Sequence, residues 1–172
     1  MPQTKERLLH HVIVSVFCKA YERQEEVLAG LDTISPIPTA ELLKLDKEFD
    51  PDRPRTYHYR GKDVTLTVQE LESDDGRMQA YTLYFRGLHD TSRFAKLLRE
   101  SMSPERRAAC ADDPTMLLDD EGKLVVRFDK RDLMRGKVSL TTTGDCYAIK
   151  AAVAAYPKTI ERAEEVVRKI LA

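Results

Sequence analysis

The chain has 172 residues, 42% hydrophobic and 33% charged, which suits one globular domain with a sizeable core and a charged surface. Lys and Arg number 28 against 29 Asp and Glu, so the net charge of −1 excludes a uniformly basic nucleic-acid binder, and any anion site must come from segregated charge. Cys18, Cys110 and Cys146 lie far apart with no CxxC pair, which fits a cytosolic protein better than a secreted disulfide scaffold. No run approaches the roughly 20 apolar residues that span a bilayer and no apolar signal core opens the chain, so a cytoplasmic protein with no membrane partner is expected.

In "HHVIVSVFCKAYE", Val12, Val14, Val16 and Cys18 alternate with Ile13, Ser15, Phe17 and Lys19, the pattern of a half-buried strand. Val27, Leu28, Leu31 and Ile34 then form one helical stripe, stopped by Pro36 and Pro38. Thr39 is placed to cap a second helix carrying Leu42, Leu43 and Phe49 inward. "TYHYRGKDVTLTVQELES" reads as two strands or one bent strand with Gly61 at a turn. Asp74–Gly76 is a hairpin turn into "RMQAYTLYFRG", with Tyr81, Leu83 and Phe85 on one side and Thr82 and Tyr84 on the other.

Asp90 or Thr91 is expected to start a helix burying Phe94, Leu97 and Leu98. Ser103 and Pro104 cap and open the next helix. "LVVRF" is a strand, "DKRDLMRG" a short helix capped by Asp129 and ended by Gly136, and "KVSLT" a further strand. "CYAIKAAVAAYP" balances alanine's helix propensity against strand alternation, and the strand is preferred. Ile160, Ala163, Val166, Val167, Ile170 and Leu171 make the last helix. Runs of strands broken by helices, without strict βαβ alternation, give a single α+β domain over 1–172: a mostly antiparallel sheet with helices packed on one face.

Catalytic signatures are missing: no P-loop, GxGxxG, HExxH or GxSxG occurs, and no cofactor, catalytic residue or metal ligand is assigned. Adjacent His10 and His11 point to opposite faces of a strand and cannot easily share an ion. Asp119–Gly122 reads as a turn, not a calcium loop. Cys18 and Cys146 read as small buried hydrophobes.

Cations do gather locally. "RPRTYHYRGK" interleaves Arg53, Arg55, Arg60 and Lys62 with Tyr57, His58 and Tyr59, a mixture that can hold phosphates and stack on unpaired bases. Arg127, Lys130 and Arg131 crowd a compact strand–helix unit. Arg93, Lys96 and Arg99, followed by Arg106 and Arg107, form another group. The bland readings stand beside these: a solvated helix face, an i,i+4 pair between Lys96 and Glu100, and tyrosines packed in the sheet.

"LLDDEGKLVVRFDKRDLMRGKVSL", followed by "CYAIKAAVAAYP" and the final helix, resembles an archaeal family described as RNA-binding or as predicted exosome subunits, in its acidic-Gly turn, R-F-D-K and A-Y-P. "VIVSVFCKAYERQEEVLAGL" is similar to the family's opening strand and first helix. Family members commonly carry Gly-His-x-Gly-Asn-Pro before the central strand. "YHYRGKDVTLTV" keeps a His and a Gly but not the motif, so functions tied to that motif are not carried over. The resemblance implies an α+β fold like that of the large-subunit ribosomal protein that holds 5S rRNA, and often a homodimer. The combined expectation is a non-catalytic RNA-binding protein linked to an RNA-processing or exosome-type complex. Arg53, Arg55, Arg60, Lys62, Arg127, Lys130 and Arg131 would meet backbone phosphates, and Tyr57 and Tyr59 would stack on bases. The competing expectations are a protein-interaction or dimerisation module without RNA, and a small enzyme pairing His58 with Glu70 or Asp63.

Overall fold

A computed structural model describes residues 5–43, 55–58 and 63–172. In chain order it runs β1 (Leu9–Cys18), α1 (Gln24–Ile34), α2 (Thr39–Leu43), β2 (Arg55–His58), β3 (Val64–Ser73), β4 (Gly76–Phe85), α3 (Leu88–Glu100), α4 (Pro104–Asp112), a 3-10 turn (Pro114–Leu117), β5 (Leu124–Asp129), α5 (Lys130–Met134), β6 (Cys146–Val153) and α6 (Ile160–Leu171). The described strands form one sheet in the order β2-β3-β4-β1-β6-β5. Every pairing in it is antiparallel.

Alternation along each strand explains why one side is covered. Leu66, Leu83, Val14, Ile149 and Val126 stand side by side in register from β3 to β5, all buried. The stripes of α1, α3 and α6 lie over this side: Val27 and Leu31, Phe94 and Leu98, Val167 and Ile170. Phe85, Phe94 and Phe128 join sheet to α3 through ring contacts of 6.5 Å. The fold is α+β, with a mostly antiparallel sheet and helices on one face, as the strand grouping implies.

The hairpin turns at Asp74–Asp75, and Gly76 takes a φ of 111° that a side chain would resist. Gly136, at φ 80°, ends α5 as expected. Ser103 caps α4 by accepting from the Arg106 N–H at 3.2 Å, and the ambiguous alanine-rich segment is strand β6.

Three local expectations come out differently. Helix α3 starts at Leu88, because the Thr91 N–H already donates to Gly87 O at 2.9 Å; Asp90 and Thr91 sit buried in its first turn. Thr39 lies inside α2, its N–H and hydroxyl held by Asp32 Oδ1 at 2.7 and 2.8 Å; Phe49 lies outside the described residues. Gly61 also lies outside them, although β2 and β3 are two separate strands. "KVSLT" makes only a bridge, Phe128 to Leu140, not a strand. Its beginning is held to α5 instead: the Lys137 N–H donates to Asp132 O at 2.8 Å, and the Ser139 hydroxyl donates to the Asp132 carboxylate. The 3-10 turn at Pro114 had no advance signal beyond its proline.

Candidate nucleic-acid interface

No described element crosses the other side of the sheet, whose composition is mixed. One row runs Thr65, Tyr84, Ile13, Lys150, Val125 from β3 to β5; the next runs Thr67, Thr82, Ser15, Ala148, Arg127. Tyr84 stacks obliquely on His11, with centroids 5.3 Å apart. Burial first, then His10 and Lys123, lower the His11 pKa below its ordinary value, so at neutral pH this ring is an uncharged stacking surface. Phe17 is 51% exposed near the end of β1. Just beyond it Tyr21 is 73% exposed, with the Lys19 ammonium 5.8 Å from its ring centre.

Among the expected phosphate contacts, Arg127 lies on this face, exposed, with Nη1 donating to Thr142 O at 3.2 Å. Arg131 is exposed on α5. Lys130 does not share that surface. It is 2% exposed, and its Nζ donates to Glu22 Oε1 at 2.6 Å and Phe17 O at 2.7 Å, with Asp145 at 3.5 Å. The compact unit is basic in part because this lysine ties α5 to the end of β1.

Partial burial raises the Asp145 pKa, but Lys130 and Lys19 beside it more than reverse this, so the carboxyl ionises below its usual range. A carboxyl depressed by folding stabilises the fold above its unfolded pKa and loses that contribution as pH falls through the folded value. With its side chain 57% exposed, the effect is screened. Asp145→Asn should therefore lower stability at pH 7 by less than about 1 kcal/mol, and urea titrations near pH 2 should find the two proteins equal.

Arg53, Tyr59, Arg60 and Lys62 lie outside the described residues. Arg55 and Tyr57 belong to β2. By register Tyr57 falls on the row of Leu66 and Arg55 on the row of Val68, the rows of the helix-covered side, while Thr56 and His58 fall on the other rows. Strands β2 and β5 are the two ends of the sheet. Five strand spacings separate them, about 24 Å. Arg55 and Tyr57 are thus not neighbours of Arg127.

Arg93, Lys96 and Arg99 line a groove of about 710 Å³ beside α3, together with Lys5, His89 and Lys169. Several of these cations are already engaged. Arg93 Nη2 donates to Ile34 O and Ser35 O at 2.8 and 2.7 Å, Lys169 pairs with Glu6 at 2.7 Å, and Lys96 with Glu100 at 3.7 Å.

The three cysteines are buried and reduced, and burial pushes the Cys18 and Cys146 thiols up, away from nucleophilic use. Asp63 pairs with Arg86 at 3.1 Å and Glu70 with Arg77 at 3.7 Å, so both carboxylates of the enzyme alternative are in ion pairs. Asp119 Oδ1 closes the acidic turn by accepting from the Glu121 and Lys123 N–H groups, both at 2.9 Å. Among the described residues, no group of three His, Cys, Asp or Glu is placed to hold a metal ion, and no helix is long and apolar enough to cross a membrane.

Sequence reasoning did not single out Lys150, Tyr84, His11 or Phe17. The alternation in β1 and β4 was a partial signal, since it separated Phe17 and Tyr84 from the core rows. What brings them into reach of Lys150 and Arg127 is the pairing of β1 with both β4 and β6.

Comparison with known proteins agrees with this architecture. The chain is 25% identical over 162 residues to RNA-binding protein PAB1135 of Pyrococcus abyssi, covering 94% of this chain and 93% of that one. The structure of Mth689, a DUF54 protein from Methanothermobacter thermautotrophicus, superposes with a TM-score of 0.67 at 20% identity, over 96% of this chain and 99% of that one. Protein AF2318 from Archaeglobus fulgidus gives a TM-score of 0.67 at 22% identity, over 94% and 99%. The family described as RNA binding matches residues 11–155, most of the sheet and the helices it carries, and the chain belongs to that family.

Proposed function

We propose that the chain is a non-catalytic RNA-binding protein that lays single-stranded or unpaired RNA across the side of its sheet that no described helix covers. One observation carries the reading: on that side, Tyr84, His11 and Phe17 are interspersed with Lys150, Arg127 and, at the rim, Lys19. Rings on an open sheet offer sequence-tolerant stacking to unpaired bases, and the cations meet phosphates. The family's description and the name of the Pyrococcus relative point the same way. Arg131 extends the phosphate surface along α5. Arg53, Arg55, Tyr57, Tyr59, Arg60 and Lys62 belong to the proposal as a second contact region. Lys130 is left out of it, because its ammonium is occupied. A place in RNA processing or degradation, and the likeness to the 5S rRNA-binding ribosomal protein, rest on the sequence resemblance alone, and a cytoplasmic location rests on the scattered, reduced cysteines.

Fluorescence anisotropy of a labelled oligouridine across a salt series tests the proposal. Arg127→Glu with Lys150→Glu should weaken binding at least about tenfold and reduce the salt slope by about 1.4, two contacts at roughly 0.7 each on a single strand. Unchanged affinity would remove this face from the account.

A second reading is favoured by the exposure of Phe17 and Val125: the same face joins two copies of the chain. Sedimentation equilibrium separates the two. A mass that doubles with concentration, together with no RNA binding, selects the dimer.

A further inference from the structure

At the outer edge of β5 a notch of about 230 Å³ opens between the 3-10 turn and Leu140–Thr142. Its lining includes the apolar Met116, Val125 and Leu140 together with Arg106, Arg127, Thr141 and Thr142. Met116 is 62% exposed and Val125 38%, although the neighbours of Met116 on the turn, Pro114 and Leu117, are buried. Two apolar side chains of the lining are thus held open to water. Val125 and Arg127 also belong to the uncovered side of the sheet, so the notch continues the surface proposed for RNA.

We propose that this notch takes one unpaired base of the bound RNA, with Arg106 and Arg127 on the phosphates either side; the inference rests on the RNA-binding reading above. A base has apolar faces and polar edges. A polarisable thioether and a branched side chain suit the faces, and the Thr142 hydroxyl suits an edge. Arg127 is steadied by Thr142 O, at 3.2 Å. The volume falls below the range of pockets that enclose a whole drug-sized ligand, so the slot fits one ring system. Bases stacked in a duplex cannot enter it, and the substrate class narrows to RNA with loops, bulges or free strands.

The test compares a short oligouridine with an abasic ribose-phosphate strand of the same length, titrated by anisotropy into the full chain and into Met116→Ser. Stacking of one base predicts that Met116→Ser weakens oligouridine binding about tenfold and leaves the abasic strand unchanged. Val125→Ser should reproduce the pattern, and Met116→Leu should restore binding. Equal affinity of wild type and both serine variants for oligouridine would overturn the notch while leaving RNA binding in place. Equal weakening toward both strands would also overturn it. Absence of binding to either strand by wild type at low salt would overturn the RNA reading itself.

Discussion

Lys130→Met lowers stability by about 3–5 kcal/mol, the cost of removing one partner of a buried ion pair. The lysine side chain is 3% exposed and Glu22 only 14%, so the substitution leaves a carboxylate and the Phe17 carbonyl without their shared donor. Water reaches the site poorly and cannot replace the ammonium. For a chain of this size the loss corresponds to a fall in Tm of roughly 6–20 °C. Two controls make the cause visible. Glu22→Gln in the Lys130→Met background should recover part of the stability, because it discharges the orphaned carboxylate. Below the melting range, the affinity of Lys130→Met for RNA should match wild type. A stable variant with weakened binding would return Lys130 to the phosphate surface.

Gly30→Ala is the second large effect. Helix α1 crosses the sheet so closely at Gly30 that a Cβ there would lie 2.1 Å from Tyr147 Oη and 2.5 Å from Cζ. Tyr147 has no room to retreat, being fully buried with its hydroxyl donating to Val27 O at 2.6 Å; burial holds its pKa well above the ordinary tyrosine value. Alanine gains up to about 1 kcal/mol of helix propensity over glycine. Overpacking a close-packed core costs more, up to about 3 kcal/mol, and a net loss of about 2 kcal/mol is expected. Denaturant melts of Gly30→Ala, Tyr147→Phe and the double variant check the mechanism. The phenylalanine should rescue only in part, since removing Oη leaves Cζ in the way.

The two positions show what a sequence reveals and what it conceals. Period-2 alternation in β1, β4 and β6 and the 3.6-residue stripes of α1, α3 and α6 reflect local geometry, so the core rows and the covering helices could be read in advance. Gly30 looked like one more helical residue, because its constraint comes from Tyr147, far along the chain. Lys130 looked like its neighbours Arg127 and Arg131, because a lysine's charge is visible in sequence while its burial against Glu22 is not. The candidate interface divides in the same way. Arg127 was legible as a local cation. Tyr84, Phe17 and Lys150 became its neighbours only through long-range pairing, and Arg55 and Tyr57 lie on the opposite edge strand for the same reason.

The central claim is that RNA occupies the uncovered side of the sheet. The most direct measurement is a two-dimensional NMR titration of isotope-labelled protein with a short oligouridine at low salt. The account predicts that amide shifts concentrate on Ile13, Ser15, Phe17, Tyr84, Arg127, Ala148 and Lys150, while α1, α3 and α6 stay in place. Shifts confined to the α3 groove around Arg93 and Arg99, or no shifts at all, would contradict it.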